Sequence, residues 1–581
     1  MNEEQSTPID LNPPPYRELT WAAVIFGVAI GSVMTAAFTY VALKLGFTLS
    51  GSTVAAILGF AVLRGALKKG SIVENNINQT IASGVNNASA GVAFTLPALF
   101  ILGEDFNIWA VMMAAIAGSF LGIVVIIPLR KQMIEFERLR FPSGIAVASL
   151  LKSPGAGARQ AKLLAGGFVV SASIHLLLGM EMLPEALNFG GWMGLPSWIS
   201  LSIAISFASL GAGLLSGRGG LPFVFGGMLA WWLIAPLAVH NGFVPGAFEM
   251  TELSSHPGFD DWVTWDVLYA QMLRPLGIGI LIGGALSGVV ASFPALKSAV
   301  TSLSQASQSG SGGSDELPIQ VLTVGVGVAF VVLFGAAIMA DPNLGIGRHI
   351  LIAVVGTVWL ALAGLIVAQA SGMTDISPMS GMSLIGVTLM FFLSGGNVVP
   401  AIILGVAVCI GIGQCADMMG DLKSGHLIGA KPKRQQIAQF LVCWVGVPVA
   451  VGTIFLLWGD GGGFGPGNPE LSAPQGSALA AIMESLQAGA APLDKYTAGT
   501  AIGLALGLYP VGGVGVLVGL AMYLPFDITV TYGLGCAVSI WLAKRKSERW
   551  IGDTVVPVAA GFIIGEALTS LGVVLFKLAV G

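Results

Sequence analysis

The sequence predicts an all-α integral membrane protein of about sixteen transmembrane helices, arranged as two parallel eight-helix repeats with interrupted or re-entrant helices near the centre. Three observations carry this. Hydrophobic residues fill 55% of 581 positions and charged residues only 10%, whereas a soluble chain carries about 25% charged residues. Apolar runs of about 20 residues, the length that crosses a hydrocarbon core, recur along the whole chain. Matching segments recur in the same order on either side of a Gly/Ser-rich linker, 301–317.

The runs are too continuous for the alternating pattern of a barrel strand, and only helices satisfy their own backbone groups in lipid. The stretch 1–18 is polar and acidic, lacks the basic start of a signal peptide, and reads as a cytoplasmic tail before an uncleaved first helix. The first repeat, 19–300, has expected spans at 21–44, 51–67, 78–102, 107–129, 161–183, 193–216, 220–237 and 266–292. The second, 318–581, has them at 318–340, 349–370, 380–397, 398–418, 435–458, 498–520, 524–543 and 552–578. Leu221-Pro222-Phe223 matches Leu524-Pro525-Phe526, and PLGIGILIGGALSG (275–288) aligns without gaps on PVAAGFIIGEALTS (557–570). Eight spans in each half make the copies parallel.

Charge placement orients the chain. Arg64, Lys68 and Lys69, then Arg130 to Lys162, then Lys423 to Arg434 fall on the side of the N-terminus, which is therefore cytoplasmic, as expected in the inner (plasma) membrane. Lys544, Arg545, Lys546 and Arg549 break the pattern, which points to a miscounted crossing in 459–523, with 473–489 the candidate. Cys409, Cys415, Cys443 and Cys536 lie in apolar stretches without CxxC spacing and read as packing residues.

ENNINQTIASG (74–84), FPSG (141–144), SGGNVVPA (394–401) and ADMMGDLKSGH (416–426) occur in an order that resembles the oligopeptide transporter family, nearest to its yellow-stripe-like branch and prokaryotic relatives. The resemblance implies about sixteen helices built by duplication and proton-coupled uptake of small peptides or peptide-like chelates. The KIPPR-type signature of the eukaryotic peptide branch is absent, so peptide and metal-chelate substrates both stay open.

Polar groups at membrane depth need a reason to be there. Glu566 sits mid-span among small residues, where its repeat counterpart is Gly284. An ionised carboxyl is poorly solvated there, so Glu566 is a candidate proton-coupling group; the alternative is a salt-bridged packing residue, with Arg274 or a loop base as partner. Glu74 is a second proton candidate or a helix cap. Gln79, Asn86 and Asn87 in an unusually polar helix entry, with Asp375, Asn397 and Gln414 in the second half, are candidate substrate-binding residues. The Gly- and Pro-interrupted segments 84–91 and 372–380 are expected to leave helical geometry and line a midplane cavity. Asp417 and Asp421 suit either a site or a solvated helix end. His175 reads as a core histidine or a proton relay.

No HxxxH, CxxC or HExxH spacing and no P-loop is present, so no cofactor, resident metal or nucleic acid is expected, and no catalytic set is visible. The expected partners are the lipid bilayer, the substrate and protons; homo-oligomerisation stays open. A membrane-embedded enzyme and a channel are the alternatives from other classes.

Overall fold

The computed structural model describes residues 18–47, 51–60, 62–63, 70–152, 156–195, 198–241, 263–291, 316–374, 379–459, 463–466, 468, 471–488, 492–507 and 514–580. The first half holds α1 (Trp21–Leu45), α2 (Gly51–Phe60), α3 (Ile72–Asn86), α4 (Ala88–Thr95), α5 (Pro97–Leu102), α6 (Ile108–Ile126) and α7 (Pro142–Lys152). It continues with α8 (Ala156–Gly179), α9 (Phe189–Trp192), α10 (Phe207–Ser216), α11 (Leu221–Met228), α12 (Ala235–His240) and α13 (Arg274–Ala291). The second half holds α14 (Ile319–Ala340), α15 (Ile346–Thr374), α16 (Met379–Leu393), α17 (Val398–Ile428), α18 (Pro432–Val442) and α19 (Gly446–Gly459). It ends with α20 (Pro474–Ala488), α21 (Leu493–Gly507), α22 (Val514–Tyr523), α23 (Phe526–Arg545) and α24 (Glu548–Val580).

Among the described residues twelve helical stretches are long and apolar enough to cross a membrane, and two further apolar helices are shorter. The chain is thus an α-helical, multi-pass membrane protein. Twelve is a count over the described residues, and several expected spans contain residues outside them. The expected span 193–216 opens as a short hairpin, Ala186–Asn188 paired with Ser202–Ala204, and only α10 is helical. Of the expected span 498–520, α21 and α22 are described while 508–513 lie outside the described residues, as do 61 and 64–67 of the span 51–67.

Chain interruption lies elsewhere than the sequence suggests. Across 84–91 the helix persists: Asn87 keeps right-handed dihedrals (φ −56°, ψ −29°) and its N–H still donates to Ser83 O. Its amide finds a partner on another helix, so it does not compete with its own backbone. The break falls instead after α1. Gly46 adopts φ 73° and its N–H closes the helix on Ala42 O, a left-handed cap that suits glycine. A Cβ placed at Gly51 would lie 2.6 Å from the Asn86 amide nitrogen and 3.1 Å from the Met34 methyl. The start of α2 is therefore level with the middle of α1 and the end of α3, so α2 begins inside the bundle. Helix α15 runs to Thr374, and 375–378 lie outside the described residues.

Helix α17 is the axis of the fold, its most apolar stretch 94% buried, with α3, α4, α6, α7, α15 and α16 packed around it. The last helices of the two halves are exchanged. Helix α24 lies along α8 and α10 of the first half, while α13 lies along α21 and α22 of the second; α10 packs on α23 and α22 on α11. Small residues allow both contacts. A Cβ at Gly565 would lie 2.6 Å from Phe168 O, and one at Gly279 would lie 2.6 Å from Tyr496 O.

The basic segments gather on one face. Gln160 Nε2 donates to Asp553 Oδ1 at 2.9 Å, so the turn from α23 to α24, with Lys544 to Lys546, lies beside the start of α8. Leu151 packs with Ile72 and Ile428, and Lys431 N donates to Glu18 Oε2 at 3.3 Å. The segment Lys544 to Lys546 therefore shares a face with the other described basic segments. Arg64, Lys68 and Lys69 lie outside the described residues.

Candidate functional site

The first turns of α3 carry Asn75, Asn76, Asn78 and Gln79, and all four are buried. A helix polar on every side is stable in a membrane only where protein surrounds it. Here α1 runs alongside, in the same direction. Thr20 donates its hydroxyl to Glu74 Oε1, and Asn78 Nδ2 donates to Ala23 O at 2.9 Å. Glu74, half-buried, thus ties the start of α1 to the start of α3, while the cap of α3 is Ser71, whose hydroxyl accepts from Glu74 N at 3.0 Å.

On its inner side α3 meets α17 at Asp421, which is 1% exposed. Gln79 Nε2 donates to Asp421 Oδ1 at 2.6 Å and Ser52 Oγ at 3.2 Å, and Oδ2 has no protein partner. Ser52 belongs to the first turn of α2 and also meets Ser83 Oγ at 3.1 Å. Asn76 Nδ2 donates to Ser424 Oγ at 2.8 Å, and Gln435 Nε2 donates to Thr80 Oγ1 and to Asp421 O, both at 2.9 Å. No cation lies within ion-pair distance of Asp421 among the described residues.

Many of these groups are incompletely used. Asn75, Asn76, Asn78 and Asn86 keep Oδ1 unpartnered, Gln435 keeps Oε1, and both polar atoms of Gln414 and Gln439 are unpartnered in the protein. A buried polar atom without a partner costs about 1–3 kcal/mol, so a concentration of them marks a place where water or a ligand completes the bonding. The N-terminus of α2, with first-turn amides that have no intrahelical partner, opens at the same level. Between Val398 and Gly425 of α17, Gly420 is half-buried and Asp417 is exposed, with every other residue buried. An exposed carboxylate thus lies one turn from Asp421, beside this cluster of unpartnered groups, the candidate chamber.

The candidates are therefore sorted by the fold. Gln79 and Asn86 border the chamber; Gln414 lies two turns from Asp421 on the same stripe of α17, about 10 Å at 1.5 Å per residue. Asn87 is spent on α17, donating to Ile410 O at 3.0 Å. Asn397 sits at the other end of α17, about 36 Å of helix away from Asp421. It caps that end, accepting from Val399 N at 3.1 Å and donating to Asp341 Oδ2 at 2.7 Å. Asp375 lies outside the described residues. Ser52, Gln435 and Gln439 were not singled out in the sequence. The three glutamines of KRQQIAQF (433–440) signal a polar helix start, which the apolar run behind them hides.

A second polar centre surrounds Glu566, which is fully buried. The sequence gives it no polar neighbour nearer than Thr569 and Ser570 on its own helix; the fold supplies four from elsewhere. Lys44 Nζ lies 2.7 Å from Oε1, Ala208 N donates to Oε2 at 2.7 Å, and Ser206 Oγ lies 3.1 Å and 3.2 Å from the two oxygens. His175 Nε2 is 2.8 Å from Oε2 but lacks the alignment of a hydrogen bond. Ser206 caps α10, so the carboxylate sits on the N-terminus of a ten-residue helix, where the amides and dipole favour an anion. This is a compensated carboxylate, partnered by Lys44 and not by Arg274. His175, a core histidine or relay by sequence, belongs to this group.

A model of the family described as OPT oligopeptide transporter protein matches residues 18–577. A Haemophilus influenzae protein named for oligopeptide transport is 28% identical, covering 92% of each chain. The metal-nicotianamine transporter YSL2 of Arabidopsis thaliana is 24% identical, covering 98% of this chain and 94% of its own. A Saccharomyces cerevisiae protein, YGL114W, also named for oligopeptide transport, is 22% identical over 99% of this chain and 98% of its own. With the family model running over nearly the whole sequence, the chain belongs to the OPT oligopeptide transporter family and is a transporter, not an enzyme.

Proposed function

We propose that this transporter is a proton-coupled symporter of small peptides or peptide-like compounds in the cytoplasmic membrane, with its N-terminus inside and the chamber between α2, α3, α17 and α18 as its binding site. One observation carries the reading: Asp421 is buried with a free Oδ2, among neutral donors, at the N-terminus of α2, a helix that begins inside the bundle. Broken helices whose ends meet near the midplane are how transporters present backbone groups to a ligand. Amide-rich walls with unused acceptors and donors suit a ligand that is itself made of amides and amines. Gln79, Asn86 and Gln414 contact it; Asn87 holds α17 in register beside it, and Asp375 is a further candidate contact.

Asp421 replaces Glu566 and Glu74 as the coupling group in this reading. Among the described residues its charge has no counter-ion, so binding a proton removes a charge that burial penalises, and the exposed Asp417 gives protons a route. Glu566 is held by Lys44 and a helix N-terminus, and Glu74 by Thr20. Two parallel eight-helix repeats fit the exchanged pairs α8 with α24 and α21 with α13, because helices in matching positions then make matching contacts.

The name of the Arabidopsis relative supports a second reading, uptake of a metal chelate. In that case the chelator holds the metal, since among the described residues no three His, Cys, Asp or Glu side chains converge. Reconstitution into liposomes with an imposed pH gradient tests the proposal. Accumulation of dipeptides that follows the gradient supports it. Passive equilibration, or uptake indifferent to the gradient, overturns it.

A further inference from the structure

The geometry points to a carboxylate-recognition site at the N-terminus of α10, built by Lys44, His175, Ser206 and the Ala208 amide, which Glu566 fills in this conformation and a substrate carboxylate fills when Glu566 withdraws. The inference rests on the transport reading and names the chemical class that this second centre takes: an ionised carboxylate on a small molecule.

The donor set is that of a carboxylate receptor. A buried ammonium, a hydroxyl and a helix-start amide converge from α1 and α10 on one pair of oxygens, a combination that selects a planar anion. His175, on α8 and 7% exposed, brings Nε2 to 2.8 Å from Glu566 Oε2 and adds a second basic group to the set.

The second half shows that the carboxylate is not needed to seat the helix. Gly284 aligns with Glu566, and α22 occupies the place beside α13 that α10 occupies beside α24. There a Cβ on Gly284 would lie 2.5 Å from Gly515 C and 2.5 Å from Val516 N, at the start of α22. Backbone packs straight onto backbone. In the first half the same junction carries an anion and a cation in place of that contact, so the charges are an addition to the architecture.

The site is also mechanically connected to the chamber. Lys44 lies one residue before the end of α1, and the chain then turns at Gly46 and re-enters as α2, whose Ser52 binds Asp421. The chamber offers a zwitterionic or aminocarboxylate substrate neutral amides and one carboxylic acid. What it lacks is a cation for the substrate's carboxylate, and Lys44 supplies one at the other end of the same hairpin.

The experiment uses the purified full chain, with acetate and formate as probes. In Glu566→Gly, which gives position 566 the residue found at 284, acetate and formate raise the thermal midpoint over equal chloride, while the parent shows no such difference. Adding Lys44→Met removes the effect. In proteoliposomes Glu566→Ala, which empties the site and serves if the glycine variant does not fold, tightens competition by a free dipeptide about tenfold and leaves its C-terminal amide unchanged. Folded Glu566→Gly with no carboxylate-specific stabilisation overturns the site. Equal competition by acid and amide in the parent and in Glu566→Ala overturns the substrate's part in it. Failure of the parent to take up any peptide would sink the transport reading, while the acetate and formate shifts report on the site regardless.

Discussion

Lys44 Nζ lies 2.7 Å from Glu566 Oε1, joining the end of α1 to the middle of α24 across 522 positions of sequence. Neither side chain reaches water. Each charge is tolerable only because the other is there, and removing one partner of such a pair costs about 3–5 kcal/mol. Lys44→Met and Glu566→Gln should each lower stability by about that amount, and the double variant should lose less than the sum. Unfolding of the four proteins in one detergent gives the coupling directly. Additive losses would mean that the pair is not the unit that holds α1 to α24.

Asp421→Asn fixes the carboxyl in a neutral form of nearly the same shape, keeping acceptors for Gln79 and Ser52. Substrate counterflow should continue, whereas accumulation driven by a pH gradient should fall by at least about tenfold. Counterflow by the parent should change between external pH 5 and 8, and the variant should be flat. Gradient-driven accumulation by Asp421→Asn equal to the parent would return the coupling role to the other carboxyls.

Topology is testable at residues that the fold leaves exposed. Lys431 and Lys546 are exposed on the face where the basic segments gather, and Asn343 is exposed near the far end of α17, where Asn397 meets Asp341. With the N-terminus inside, cysteines at 431 and 546 should resist an impermeant reagent added to intact cells, and one at 343 should react. Ser424 is no use as a probe, being buried and bonded to Asn76. Opposite behaviour of 431 and 546 would contradict the shared face.

The legible part of this protein is the part that depends on solvent. Continuous apolar runs mean helices in lipid, and residues as polar as Asn75 to Gln79 in such a chain mean a protein-lined interior, whichever neighbours line it. The partners of Glu566 were not legible, because Lys44 lies at the end of an apolar run where a lysine reads as an interfacial residue, and nothing local links it to a residue 522 positions on. The partners of Asn87 and Asn397 were not legible for a related reason. A single asparagine does for a helix neighbour or a helix cap what it does for a ligand, and only the third dimension tells these apart. The inward start of α2 was not legible either, because 51–67 reads as one nearly continuous apolar run and nothing local places Gly51 beside Asn86.

Gln414 and Gln79 separate the binding role from the structural one. Both are fully buried, yet they stand at opposite extremes of use. Gln79 donates to Asp421 and accepts from Asn76 Nδ2 at 3.3 Å, whereas neither polar atom of Gln414 has a protein partner. Methionine matches glutamine in length and carries no strong donor or acceptor. Gln79→Met strips partners from two buried groups and should destabilise the protein by about 1–3 kcal/mol. Gln414→Met buries two fewer unsatisfied atoms, so it should leave stability unchanged or raise it by up to about 1 kcal/mol. If the amide of Gln414 is completed by substrate, the same change should raise the apparent KM for uptake several-fold with the folded protein intact. Unfolding midpoints and KM, measured on the same preparations, test both halves of the argument. Equal destabilisation by the two substitutions would mean that Gln414 already has its partners without a ligand, and the chamber would then end short of it.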